Sequence, residues 1–483
     1  MSDDLKENRR RKLEELRELG LDPYGGRFDR DADARDCRER YREERRVRVA
    51  GRLAAIRGHG KTVFADLWDE TGKIQIYLRR DRLGDEVFEV VERLDLGDIV
   101  GVEGTLFTTR KGEISVMVES LAFLAKALLP LPEKWHGLKD VEQRYRQRYL
   151  DLIGNEAARE IFARRHKIVR AIRLFLWEKG FTEVETPMMQ PLAGGAAAKP
   201  FVTRYEALDA PMFLRIAPEL YLKRLLVGGM GKVFELNRNF RNEGLSRRHN
   251  PEFTMLEIYE AFGDCRSMMD LIEELVTTVA EEVCGTLRIT QQESGETIDL
   301  SRPWRRVAYR DLVREYTGRP DWFDLGAEEA AREASARGLE TEPGLSAPAV
   351  THELYEKLVE PTLIQPTFVL RLPAELVPLA RACADDPGVV DVFELEINGQ
   401  EIAPGYSELN DPGEQLRRFR GQAGEGAGKG AIDFDFIEAL EHGMPPAGGM
   451  GIGIDRLVML LTGAPSIREV ILFPQLRPRR EEP

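Results

Sequence analysis

Three observations predict an α+β chain of two parts. Five short alternating strands follow one another from Val47, with a helical segment between the third and fourth. A proline- and glycine-rich bridge, LPLPEKWHGLKD, comes next. A long mixed region then carries a charged strand-loop-strand unit between Val233 and Phe262. The first part has the pattern of a five-stranded OB-fold β-barrel, and the second reads as a larger domain on an antiparallel β-sheet flanked by helices.

The chain has 483 residues, 42% of them hydrophobic, which is enough for more than one core. No apolar run reaches the length of a membrane span, and MSDDLKENRRRKLEEL is too charged for a signal peptide. Cys37, Cys265, Cys284 and Cys383 are scattered without a CxxC pair, so neither a zinc knuckle nor a disulfide framework is indicated and a cytoplasmic location is expected. A net charge of -14 argues against a protein that coats DNA. It leaves RNA open, because affinity there depends on local phosphate contacts. The basic stretches KENRRRK and RERYREERRVRV are read as solvated, salt-bridged helix faces.

In chain order, residues 1–45 are expected to form an N-terminal helical arm, with Leu13, Leu16 and Leu19 on one side and glycine breaks at Gly20 and Gly25-Gly26. The barrel is placed at 46–130. Its strands are VRVAGRLAAIRG, TVFADLWD, GKIQIYLRR, DIVGVEGTLFTT and GEISVMVESLAFL, with DEVFEVVERL as the intervening helix. Faces of such barrels bind single-stranded nucleic acid by stacking bases on aromatic rings. Phe64 and Gln75 are expected on adjacent strands, exposed near Arg52; a core position inside the barrel is the other reading of Phe64. A linker is placed at 131–148 and the second domain at 149–483, with an exposed helical insertion at about 320–350. RGQAGEGAGKGA resembles a phosphate loop but has Ala423 where the first glycine belongs and no Ser or Thr after Lys429, so it reads as a mobile loop. GGMGIGIDRL has Arg456 where a dinucleotide fingerprint needs its third glycine. It reads instead as a glycine strand that lets backbone approach a ligand.

The densest chemistry lies in VFELNRNFRNEGLSRRHNPEFTMLEIYEAF. Both arms alternate, and NEGLSRRHNP between them is turn chemistry. An antiparallel hairpin sets residues of its arms side by side on one face. That face would hold Arg241, Glu243 and Phe253 together, with Glu257 and Tyr259 further along. Arginine is the planar, permanently charged partner of phosphate.

GFTEVETP, FRNEGLSRRHNPEFTMLEIY and GMGIGIDRL, in this order, resemble motifs 1, 2 and 3 of the class II aminoacyl-tRNA synthetases. RIAPELYLKRLLVGGMGKVFELNRNFRNEG, SELNDP and IREVILFPQLRP are similar in wording to the lysyl-tRNA synthetase family in particular, and the resemblance runs from Val47 to Pro478. It implies a class II catalytic domain behind an anticodon-binding barrel. The activity implied is lysine--tRNA ligation: ATP and L-lysine give lysyl-adenylate and pyrophosphate, and lysyl passes to the 3' end of tRNA(Lys). Magnesium is the implied cofactor and a homodimer, built on the motif 1 helix and Pro187, the implied state.

Residue by residue, the resemblance implies that Arg241 binds the α-phosphate and Arg456 the γ-phosphate, as the catalytic pair. Phe253 and the Arg456 side would sandwich adenine, and Glu243 with Asn250 would read it. His249 would touch the phosphates, an exposed loop histidine being the other reading. Glu394 and Glu401 would carry magnesium. The Gly195 carbonyl and Glu219 would take the lysine α-ammonium. Glu408 and the Tyr259 hydroxyl would take the ε-ammonium, with Glu257 supporting and Tyr406 on the methylene stem. In the barrel, Phe64 and Gln75 would read U-rich anticodon bases, with Arg52 and Glu113 nearby. Two departures bear on amino-acid choice. Pro404 stands where the family usually has an asparagine that contacts the lysine carboxylate, and Gly448 stands where alanine is commoner, leaving an expected slightly larger site. A silent RNA-binding paralogue would have lost Arg241, Arg456, Glu394 or Glu401, and a ligase that lysylates protein would lack the barrel.

Overall fold

A computed structural model describes residues 2–58, 60–131, 140–196, 198–424 and 432–478. The chain divides into two compact units, Met1–Asp140 with Tyr149–Gly154, and Val141–Arg148 with Asn155–Pro483.

In the first unit, strands β1 (Arg46–Arg57), β2 (Thr62–Asp69), β3 (Gly72–Arg79), β4 (Ile99–Thr108) and β5 (Ile114–Ala125) close a barrel in the order β1-β2-β3-β5-β4. Helix α1 (Arg80–Glu92) lies between the third and fourth strands, as the sequence pattern predicts. Closure needs a tight corner, and Gly104 supplies it: a Cβ there would lie 2.0 Å from the Met117 carbonyl oxygen, beside a bulge in the β4–β5 ladder. The N-terminal arm differs from expectation. Its helix stops at Glu18, and a short second helix, Ala34–Glu39, follows after a non-helical stretch. Leu16, Ala34 and Cys37 are buried in the barrel's core, whereas Leu19 is 40% exposed. The arm is a layer of the barrel unit, because a 17-residue helix with one apolar stripe needs a surface on which to bury it.

The second unit is built on an eight-stranded sheet. Helix α2 (Glu156–Glu178) precedes β6 (Thr182–Glu183), and helix α3 (Glu219–Val227) precedes β7 (Lys232–Phe240) and β8 (Glu252–Ala261). Helix α4 (Cys265–Cys284) follows, then β9 (Arg305–Ala308), β10 (Thr367–Leu370), β11 (Val392–Glu396), β12 (Glu401–Ser407), β13 (Ala447–Gly453) and helix α5 (Ile454–Thr462). The spatial order is β9-β10-β11-β12-β13-β8-β7-β6. The interior pairs are antiparallel, but β9–β10 and β7–β6 are parallel, so the sheet is mixed and antiparallel only at its centre.

Alternation sorts this sheet into two faces. Phe234, Leu256, Ile258, Phe393, Leu395 and Ile452 share a core with apolar residues of α2, α4 and α5. The opposite face carries the polar partners of each strand. The segment expected to be an exposed insertion packs into a core shared with the sheet instead: Trp322 is 1% exposed and donates from Nε1 to Thr351 Oγ1 at 3.0 Å, in one cluster with Ala330, Ala334, Leu339 and the sheet residues Val369 and Val392. Most of the bridge (132–139) and the glycine-rich loop beyond Gly424 (425–431) lie outside the described residues.

Candidate active site and nucleic-acid face

The register of β7 on β8 decides which side chains meet. Asn239 pairs with Phe253, Asn237 with Met255, Glu235 with Glu257 and Val233 with Tyr259. β13 continues the row on the other side, with Gly453, Gly451 and Gly449 opposite Met255, Glu257 and Tyr259. These glycines are the floor of the site. A Cβ on Gly449 would fall 2.0 Å from Glu408 Oε1 and 2.5 Å from the Tyr259 ring, so any side chain there would displace both.

At one end of this face lie two arginines, Arg241 and Arg456. Arg241 leaves β7 with its guanidinium 5.1 Å from the centroid of the Phe253 ring. Its Nε is buried without a hydrogen-bond partner among the described residues. Burial lowers the Arg241 pKa, opposed by Glu401, Glu243 and Glu257. Arg456, at the start of α5, donates to the Glu401 carbonyl oxygen at 2.6 Å and meets His249 Nε2 at 3.0 Å. His249 is exposed and its Nδ1 lies 2.9 Å from Ser246 Oγ; burial of the ring, then Arg456, lowers its pKa. The neutral ring is therefore the form that sits beside Arg456. Glu243 is exposed. Asn250 is buried and already engaged, donating to the Glu252 carbonyl and accepting from Gln475 N. The β13–α5 junction is pinned to β8 by Asp455, which accepts from Thr254 N at 2.7 Å and from Arg165 at 2.6 Å.

At the other end lie three buried carboxylates: Glu219 at 4%, Glu257 at 4% and Glu408 at 2% exposure. The Tyr259 hydroxyl donates to Glu257 at 3.0 Å, and the Tyr406 hydroxyl donates to Glu219 at 2.9 Å. Gly195 has a left-handed φ of 87°, and a Cβ there would be 3.3 Å from the Glu219 Cβ, so its loop runs against this residue. Burial, then the nearby Glu219, raises Glu257 well above the usual carboxylate range, although the Tyr259 bond opposes it. Burial pushes Glu408 up to about 8 against the pull of Lys223. The sequence reading missed Lys223. Its ammonium bonds Glu219 at 2.7 Å, pairs with Glu408 and lies 5.6 Å from the Tyr406 ring centroid. The contact with Glu408 is an ion pair rather than an aligned hydrogen bond, since both Glu408 oxygens lack a hydrogen-bond partner among the described residues. The available signal was a charged residue in the apolar helix ELYLKRLLV, four residues after Glu219.

Beyond β13, the β11–β12 hairpin carries Glu394 and Glu401, with Glu396 beside them, and the Glu401 carbonyl meets Arg456. Burial, then Glu401 and Glu360, raises Glu394 well above its ordinary range. Pro404 pairs with Glu394, and the β12–β13 ladder covers only Gly405–Ser407. A residue without an N–H cannot extend that ladder.

On the barrel, Phe64 is half-buried, not a core residue, and its ring stacks on Tyr77 with centroids 4.1 Å apart and planes at 12°. Phe107 extends the platform, 6.0 Å from Tyr77. Gln75 departs from expectation: it is buried, donating to Glu113 at 3.2 Å and accepting from Ser115 at 2.9 Å. A polar side chain between two hydrogen-bonding neighbours gains by turning in, so Gln75 braces Glu113, which is exposed. Arg52 pairs with Trp68, four residues or roughly 13 Å along β2 from Phe64, and is not beside it.

Two family models match. "tRNA synthetases class II (D, K and N)" matches residues 140–477, and "OB-fold nucleic acid binding domain" matches 47–124. The chain is 53% identical to a lysine--tRNA ligase of Syntrophomonas wolfei over 99% of this chain and 98% of the relative. It is 54% identical to one of Carboxydothermus hydrogenoformans and 50% identical to one of Staphylococcus aureus, each over 97% of both chains. The chain belongs to the class II aminoacyl-tRNA synthetases, in the lysine--tRNA ligase family. It is thus a ligase of the aminoacyl-tRNA synthetase type, with an OB-fold domain ahead of its class II domain.

One expectation about this synthetase needs correction. Gly448 does not enlarge the amino-acid pocket. It lies on the other face of β13, where a Cβ would meet the Asp264 carbonyl oxygen at 2.7 Å and Met268 Cγ at 2.9 Å, at the start of α4. Adjacent strand residues face opposite sides, so a position one step from Gly449 opens onto the helix layer.

Proposed function

We propose that this site joins L-lysine to ATP, with release of pyrophosphate, and passes the lysyl group to the 3' end of tRNA(Lys). The observation that carries the reading is one site with a half-buried arginine at one end, its Nε buried and unbonded among the described residues, and three buried carboxylates at the other. Arg241 suits the α-phosphate, where charge builds as the lysine carboxylate attacks phosphorus in line with the departing pyrophosphate. Arg456, with neutral His249 beside it, suits the γ-phosphate. Phe253 gives adenine a ring to stack on, and Glu243 with Asn250 would read its edge. Glu219 with the Gly195 carbonyl takes the α-ammonium. Glu408, with Tyr259 and Glu257, takes the ε-ammonium, and Tyr406 borders the stem. A buried ammonium demands such partners.

Glu394 and Glu401 suit a magnesium ion. Their oxygens are hard donors, and burial, then the nearby Glu401, raises Glu394, a cost to its charged form that a divalent cation relieves. Among the described residues no three or more His, Cys, Asp or Glu form a ready-made cage. Magnesium takes few protein carboxylates and completes its shell with water and phosphate oxygens, and when bound it neutralises phosphate charge. Glu394→Gln should raise the magnesium concentration needed for half-maximal exchange; an unchanged requirement would sink this assignment.

The Phe64–Tyr77 platform, with exposed Glu113 held by Gln75, suits the unpaired bases of an anticodon loop. Exposed apolar residues around motif 1, Leu174, Trp177, Met188 and Met189, and Phe262 just past β8, support a homodimer; sedimentation as a monomer at micromolar protein would exclude it. Among the described residues no helix is long and apolar enough to cross a membrane, and the four free cysteines suit a reducing cytoplasm, which cell fractionation would check. The test of the whole reading is ATP–pyrophosphate exchange with a panel of amino acids. Lysine should drive exchange best, and absence of lysine-dependent exchange would overturn the reading.

A further inference from the structure

Lys223 lies with the three pocket carboxylates, yet the substrate reading above assigns it nothing. It is 0% exposed, on α3 one turn beyond Glu219. Its ammonium bonds Glu219, pairs with Glu408 and sits beneath the Tyr406 ring, whose hydroxyl bonds the same Glu219 oxygen. Burial works against its charge, but Glu219 and Glu408 together outweigh burial and its pKa rises. A fully buried lysine that keeps its proton is a permanent cation in the pocket wall.

We infer that Lys223 is a positioning and specificity residue that offsets one of the three carboxylates, leaving a pocket matched to the two ammonium groups of a diamino acid. This rests on the lysine-activation reading. The count is direct. Glu219, Glu257 and Glu408 bring three negative charges when ionised, and Lys223 brings one positive charge. The neighbouring buried pair Arg215–Glu235 is neutral by itself, at 2.7 Å. Arg241, the other charged group bearing on Glu257, is the partner proposed for phosphate. Tyr259 and Tyr406 stay protonated, because burial raises both well above their ordinary range. The pocket is thus left with two unmatched negative charges, and lysine supplies two positive ones. Lys223 also draws Glu219 and Glu408, on α3 and just past β12, onto a single cation, which fixes their spacing before substrate arrives.

The test is exchange kinetics on the full-length enzyme. Lys223→Met should raise the lysine KM at least tenfold while the ATP KM and kcat stay within about threefold. Its kcat/KM for lysine should rise with pH at a higher midpoint, because Glu408 has lost its counter-cation. Lys223→Arg, which keeps the charge, should recover most of the lysine KM. The second arm is a charge swap. Glu408→Gln leaves one unmatched negative charge, and Lys223→Met/Glu408→Gln leaves two. The double variant should therefore bind lysine more tightly than Glu408→Gln alone, and this comparison stands if Lys223→Met by itself fails to fold. A lysine KM within twofold of the parent in folded Lys223→Met, or a double variant no better than Glu408→Gln, overturns the inference. If the unmodified enzyme shows lysine-dependent exchange and the Lys223 variants behave so, the inference alone fails. If it shows none, the activation reading fails with it.

Discussion

The two faces proposed to bind ligand are both sheet surfaces, and they solve opposite problems. The barrel face is aromatic and half-open: Phe64 stacks on Tyr77, with polar groups such as Gln75 and Glu113 bonded to each other beside them. The catalytic face is charged and closed, with Glu219, Glu257, Glu408 and Lys223 all buried. Stacking needs an accessible ring and tolerates water, whereas an ammonium or phosphate is gripped only where water is excluded and charges are counted. A base-binding surface can therefore be built from a few exposed side chains. A pocket for an amino acid of fixed charge needs each buried group partnered, in the free protein or by the ligand.

The contrast can be broken most severely at Arg241. Arg241→Ala removes the half-buried cation and should lower the exchange kcat by about 10²–10³ with little change in tRNA binding; retention of a tenth or more of the rate would contradict its role. Next in size is the amino acid itself. Ornithine is shorter by one methylene, worth about 1–3 kcal/mol, so its kcat/KM should fall roughly 10- to 200-fold below that of lysine. A larger ratio would mean the closed face discriminates by more than fit. On the open face, Phe64→Ala should raise the tRNA KM about tenfold in aminoacylation, as loss of one stacked base at about 1–3 kcal/mol implies, and leave ATP–pyrophosphate exchange unaltered. An effect on exchange would show that the two faces are not separable. The smallest effect is on pH dependence. In the empty site, burial holds Glu408 up to about 8 and Glu257 well above its ordinary range. A bound ammonium favours the ionised carboxylates, so lysine binding releases protons and is favoured as pH rises. The kcat/KM for lysine should fall severalfold between pH 8.5 and 7, while that for ATP stays flatter. A lysine profile flat over this range would place the ionised forms of these groups in the free enzyme.

Much of both faces was legible in the chain. FELNRNFR and FTMLEIYEA alternate in large part, so Glu257 and Tyr259, two residues apart, fall on one side of a strand, and the register puts them in one row. Alternation is local, and local patterns survive folding where one face is core. Gly448 was misread because a neighbour of the pocket in sequence belongs to the opposite face in space. Gln75 was misread because its partners, Glu113 and Ser115, arrive from a strand 38 and 40 residues away. Trp322 lies in a polar-looking segment whose few apolar residues make a core only after several short elements have packed together.

The sequence by itself determined the barrel followed by a helix-flanked sheet, the three ordered motifs and the identity of most groups at the site, because periodicity and motif spacing are written along the chain. Only the tertiary structure decided that the sheet is mixed at its edges, that Gly449 rather than Gly448 opens the pocket, and that Lys223 stands among its carboxylates. Lys223 reads as one more surface charge until α3 and the end of β12 bring Glu219 and Glu408 to it, and that convergence depends on distances through space that no local pattern contains.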